Sequence, residues 1–245
     1  MVLNLPASAA WIVETSLQST AFVIAVFEFV LLIFSLSFHE CAHAWMASRL
    51  GDQTARLQGR VTLNPMYHVD PIGTLLFPAL MIFGPLIGGG MMSGFLIGWA
   101  KPTPVITRNL RNIKRDDNLV TLAGPVSNLI LAFFGFLGLV AILLFTRSLP
   151  EQATLNSSVE AMATLCELAI QVNLALFFFN LLPIPPLDGS RIARNILPYG
   201  ATRIFDNMGM FSYILMILVG GPIVRFFLTP TMGLIYFVLN HIQGA

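Results

Sequence analysis

The chain has 245 residues, of which 25 are charged (thirteen Lys+Arg, twelve Asp+Glu), so charge makes up 10% of a sequence that is 56% hydrophobic. Soluble domains carry roughly 25% charge, and so few charges cannot supply a polar coat for a globule of this length. Two cysteines exclude a disulfide scaffold, and a net charge of +1 without a basic domain excludes a nucleic-acid partner. What remains is an all-α polytopic membrane protein.

In chain order, no Lys or Arg precedes Arg49, so the N-terminus lacks the basic region of a signal peptide. Residues 72–100, 118–146, 168–187 and 207–224 carry no charge, and between 15 and 38 only Glu28 interrupts. A bilayer core about 30 Å thick needs about 20 apolar residues per helix, which predicts four to six transmembrane helices in a single domain over 1–245. The first covers 20–50 and stops at Gly51, a C-cap residue. Others cover 118–146, 161–189 and 207–240, the last as one helix or as a span over 208–227 with a weaker segment over 226–240 that returns or lies at the interface. Pro183, Pro185 and Pro186 end the third of these, and Asp188-Gly189 follow as a turn.

The stretch 72–100 breaks at Gly84-Pro85 and at Gly88-Gly89-Gly90. Two arms of about 12 residues reach only about 18 Å each, so neither spans, and a re-entrant hairpin is expected that packs against protein or lines a cavity. The flanking segments 57–63 and 99–106 are β-branched or proline-punctuated and are expected to pair as a small β element on the cytoplasmic side. With the hairpin in place, eleven of the thirteen basic residues fall on one side and only Arg147 and Arg225 on the other. The positive-inside rule makes the eleven-charge side cytoplasmic.

His39-Glu40-Cys41-Ala42-His43 reads H-E-x-x-H. On a helix, residues i and i+4 share a face, so both His can reach one Zn²⁺ while Glu40 can take a proton from water. Residues 30–38 before it are membrane-grade, and ionisable residues at that depth are rare and usually functional. Cys41 lies about 200° around the helix from His39 and faces away. A catalytic zinc takes three protein ligands. Asp188, presented by the prolines of 180–189, is the strongest third candidate, and the alternative is a loop Asp capping the segment after it. Asn180 is either a substrate contact or an interhelical hydrogen bond like Asn173. His68 and Asp70 enter the hairpin and either line the site, supply an alternative ligand, act in a proton path, or form a plain turn before Pro71.

The H-E-x-x-H helix, together with Asn180-x-x-Pro-x-x-Pro-Leu-Asp188-Gly189, resembles the site-2 protease family of intramembrane zinc metalloproteases, peptidase M50. The closest likeness is to compact bacterial members without a PDZ or CBS domain. Segments 43–52, 59–65, 68–74, 98–102 and Ala-Gly-Pro-Val-Ser-Asn at 123–128 add to it. The resemblance implies that His39, His43 and Asp188 hold one zinc ion and that Glu40 is the general base. It further implies a multi-pass protein of the inner (plasma) membrane with its site toward the cytoplasm. The implied partners are the lipid bilayer and transmembrane proteins cleaved in or near their membrane segments, with Asn180 as a substrate contact; His68 is a second candidate contact from its place in the chain. The alternative is a zinc-binding membrane transporter or chaperone that cleaves nothing, which has no need of Glu40 between the two His.

Overall fold

Apolar periodicity without long polar interruptions makes long helices, and the computed structural model consists of them: α1 (Ala7–Leu50), α2 (Thr54–Leu57), α3 (Phe77–Phe83), α4 (Ile113–Arg147), α5 (Ser157–Asn180), α6 (Asp188–Ile196), α7 (Tyr199–Asn207) and α8 (Gly209–Gly244). The structure describes residues 7–87, 100–147 and 157–244. Four helices are long and apolar enough to cross a membrane, over Ser19–Leu50, Ile113–Arg147, Ser158–Asn180 and Gly209–Gln243. Phe133, Phe134, Leu218 and Phe237 are each more than half exposed on their outer faces. An outside this apolar is suited to lipid rather than water.

The helix α4 packs against both α1 and α5. Contacts of His39 with Asn128 and of His43 with Val120 show α1 and α4 to be antiparallel. Close approach of Gly135 to Ile170 and of Gly138 to Cys166 does the same for α4 and α5. Leu50, Ile113, Asn180 and Gly209 therefore gather at one end of the bundle. Gly51 ends α1 at φ +122°, as expected of a C-cap, and a Cβ there would stand 2.8 Å from the Asn109 carbonyl. The next residue, the fully buried Asp52, accepts from Thr54, Ile106 and Asn109, which ties this corner to the entry of α4.

Three expectations change or narrow. α4 begins at Ile113, ahead of the expected 118, because Asn112 and Asp116 cap it reciprocally: the Asp116 carboxylate accepts the Asn112 N–H at 2.8 Å and the Asn112 side chain accepts the Arg115 N–H at 3.3 Å. The C-terminal region, expected as one helix or more, is one helix, α8, running through Pro222 and Pro230 because each proline removes only one backbone donor. Arg225, expected at the far end, lies inside α8 two residues before Phe227, whose ring stacks on Phe178 at 5.6 Å near the end of α5. Arg147 does stand at the far end, donating to the Ile242 carbonyl.

No strand occurs among the described residues, and the segments 57–63 and 100–106 form no ladder. Leu57 closes α2, and Arg60 turns inward to donate to the carbonyls of Tyr67, Lys101 and Pro102. Pro102 and Pro104 also leave their segment without alternate donors. Trp99, with 88–98, lies outside the described residues. The first arm of the expected hairpin is a broken helix: a π-turn over Pro71–Leu76, then α3, then a 3₁₀ turn over Gly84–Ile87. Asp70 caps it, its carboxylate accepting from Ile72 and Gly73. Phe83 packs on Phe22 and Phe29, each at 5.8 Å, while the Lys101 N–H donates to the His68 carbonyl at 2.8 Å. The described residues 69–87 therefore run away from this end of the bundle along α1, and Lys101 stands back beside His68. Gly88-Gly89-Gly90 and the second arm lie outside the described residues.

Candidate metal centre and active site

One turn of α1 brings His39 and His43 together, as the i, i+4 spacing requires, with their Nε2 atoms 3.0 Å apart. Asp188, the first residue of α6, completes the group: its Oδ2 stands 3.1 Å from His39 Nε2 and 3.3 Å from His43 Nε2. All three are largely buried, and together they form a group able to hold a metal ion. The alternative role for Asp188 is not taken up, since Leu187 is the N-cap of α6 and no side chain caps that end. Asp188-Gly189, expected as a turn, open α6 instead, and a side chain at Gly189 is excluded because a Cβ would stand 2.2 Å from the Leu181 carbonyl.

The tautomers follow from the partners. His39 Nδ1 lies 2.8 Å from Asn128 Oδ1, and His43 Nδ1 lies 2.7 Å from the Val120 carbonyl. Both acceptors call for Nδ1–H donors, which leaves both Nε2 lone pairs facing Asp188 Oδ2, an oxygen without a hydrogen-bond donor. Three converging acceptors call for a shared positive charge, and a metal ion held by all three atoms supplies it. Ligand atoms at about 2.0–2.1 Å from a tetrahedral zinc stand about 3.3 Å from one another, close to the observed separations. Space for the ion is kept by Gly124 of α4, where a Cβ would lie 2.3 Å from His43 Nε2 and 2.6 Å from His39 Nε2. The donor set and the gap both fit zinc.

α4 orders all three candidate ligands. The Asn173 amide donates to Ala169 O at 2.8 Å, its Oδ1 accepts from Asn128 Nδ2 at 3.3 Å, and Asn128 thereby presents Oδ1 to His39. Asp117, also on α4, accepts from Arg191 Nη2 at 2.7 Å and from Asn195 Nδ2 at 2.8 Å. Asp188, Arg191 and Asn195 recur at helical spacing on one face of α6, so this clamp fixes the Asp188 helix against the His helix through α4.

A cavity of about 460 Å³ opens on the ligands, lined by Glu40, Thr103, Asn180 and Arg191 and by apolar groups that include Leu36, Val105, Leu176, Phe179 and Met216. Asn180 lies in its wall and uses one amide proton on the Leu176 carbonyl at 3.0 Å. His68 is not brought there. Its ring is buried and held 2.8 Å from the Thr62 carbonyl through Nε2, in a loop whose Tyr67 carbonyl is held by Arg60. Burial pushes the His68 pKa down, the Thr62 bond opposes that shift and the charge of Arg60 adds to it.

The model of Peptidase family M50 matches residues 27–219, which include every residue of this site. The chain belongs to that family. It is 39% identical over 205 residues, 83% of this chain and 84% of the relative, to YwhC of Bacillus subtilis (strain 168), named as a zinc metalloprotease. It is 33% identical over 184 residues to Rip2 of Mycolicibacterium smegmatis, covering 74% of this chain and 61% of the relative, and 29% identical over 240 residues to Rip2 of Mycobacterium tuberculosis (strain H37Rv), covering 94% and 80%. Both carry the same zinc metalloprotease description. No solved structure matches the chain. This M50 chain is thus a zinc metalloprotease with membrane-spanning helices. Sequence reasoning missed Gly124, Asn128 and Asp117 as parts of the site. The available signal was polar Asn128 in the middle of an otherwise apolar helix.

Proposed function

We propose that the chain is an intramembrane protease, cleaving peptide bonds in or near the transmembrane segments of other membrane proteins. The observation that carries this reading is the position of the ligands: His39 and His43 belong to the span Ser19–Leu50, and the cavity before them is walled by apolar residues of α1, α5 and α8. A soluble peptide gains little from such walls, whereas an apolar segment loses little by entering them.

In this reading His39, His43 and Asp188 hold zinc. When bound, zinc polarises a carbonyl as a Lewis acid and makes water acidic enough to lose a proton near neutral pH. Glu40 takes that proton as water attacks the scissile carbonyl, and delivers it to the departing amine as the C–N bond breaks. A peptide bond inside a helix is shielded by its own hydrogen bonds, so the substrate must unwind first. Asn180 has a second amide proton and a carbonyl oxygen for the freed backbone.

The contacts of Phe83 with Phe22 and Phe29, together with the bond from Lys101 back to the His68 carbonyl, support a re-entrant hairpin. Placing the ligand end of the bundle, with most of the basic residues, on the cytoplasmic side of the inner membrane satisfies the positive-inside rule. The test is cleavage of a tagged single-pass substrate in lipid vesicles. Wild type yields fragments and Glu40→Gln yields none, while equal cleavage by both contradicts the proposal.

A further inference from the structure

The Glu40 carboxylate is anchored from outside α1. Sixty-three positions further along, Thr103 donates twice to Glu40 Oε2, through its backbone N–H at 2.9 Å and its hydroxyl at 2.6 Å. Thr103 lies between Pro102 and Pro104, neither of which has an N–H, so its amide is the one backbone donor of that tripeptide. The peptide unit joining Pro102 to Thr103 is held at its other end too. The Pro102 carbonyl accepts from Nη2 of Arg60 at 2.7 Å, and the same nitrogen donates to the Lys101 carbonyl at 2.5 Å. Arg60 is 4% exposed, and its other terminal nitrogen donates to the Tyr67 carbonyl. One peptide plane thus runs between a buried guanidinium and the Glu40 carboxylate, an arrangement in which each hydrogen bond polarises the next.

We propose that Thr103 is a positioning residue for Glu40, with Arg60 as its support. Two donors on Oε2 fix the carboxylate plane and leave Oε1 to receive the proton from the attacking water. General-base catalysis requires the base within hydrogen-bond reach of that proton, and a side chain as long as Glu has several rotamers that miss it. The inference rests on the reading of Glu40 as the base, and its failure is distinguishable from the failure of that reading.

The experiment compares full-length wild type, Thr103→Val, Thr103→Ser and Glu40→Gln in lipid vesicles with a tagged single-pass substrate, measuring kcat, KM and bound zinc. Valine keeps the shape and the backbone N–H but removes the hydroxyl. The expected result for Thr103→Val is a fall in kcat of about tenfold, the size of a lost hydrogen bond to a charged group, with KM within about twofold by the same reasoning and zinc content unchanged. Thr103→Ser is expected to restore kcat, and Thr103→Ala, which changes the packing differently, to repeat the loss. The proposal is overturned if Thr103→Val matches or exceeds wild type in kcat, if its loss is matched by a loss of zinc, or if serine fails to rescue. Cleavage by Glu40→Gln would instead remove the reading on which it stands.

Discussion

His39 Nδ1 and Asn128 Oδ1 stand 2.8 Å apart although 89 positions separate them in the chain. The orientation of Asn128 descends from a backbone carbonyl, Ala169 O, through Asn173. A histidine whose second nitrogen is held in this way presents a fixed lone pair to the ion, and loss of such a partner typically costs 10–100-fold in metal affinity. Asn128→Leu is therefore expected to weaken zinc binding by about 10–100-fold, measured by competition with a chelator. Asn173→Leu should act in the same direction and less strongly, since Asn128 keeps its place on α4.

Gly124→Ala tests the space for the ion. The new Cβ would lie where Nε2 of His43 and of His39 now converge, and alanine is a better helix former than glycine. The expected outcome is a protein with unchanged helix content by circular dichroism that binds little zinc and cleaves nothing.

The Asp117 clamp on Arg191 and Asn195 governs where Asp188 points. Asp117→Ala is expected to lower zinc affinity while leaving α1 and its His pair in place, and Arg191→Ala to do likewise. A double-mutant cycle on zinc affinity should show the two losses to be non-additive, as residues in one network are. Additive losses would separate the clamp from the metal centre.

Much of this was legible in the sequence. The His39, Glu40 and His43 spacing is a property of one helix turn, and the apolar lengths fix the four long helices. The ligand role of Asp188 turns on which way α6 faces, and that is set by Asp117 more than seventy residues away, a long-range contact that no local pattern encodes. The expected strands at 57–63 and 99–106 form no ladder among the described residues for a related reason: Arg60 takes the carbonyls of Lys101 and Pro102 that a ladder would have used. Likewise, nothing local distinguishes a proline that ends a span from Pro222 and Pro230, which α8 runs through.

Asp52 carries a pH prediction. Burial pushes its carboxyl up, but the bonds from Thr54, Asn109 and Ile106 outweigh that and hold it below the ordinary carboxylate value. A depressed carboxylate contributes stability above its unfolded value and loses it as pH falls through the folded one. Asp52→Ala should therefore lower Tm in detergent at neutral pH, with a cost of about 1–3 kcal/mol for the stranded donors. The gap to wild type should narrow as the solution is made acidic below the carboxylate range.

The most direct test of the metal centre is zinc stoichiometry in purified wild type, Asp188→Ala and His68→Ala. The account predicts about one zinc per chain for wild type, as for a single three-ligand catalytic site, the same for His68→Ala, and loss of zinc for Asp188→Ala. Full zinc in Asp188→Ala together with loss in His68→Ala would contradict it.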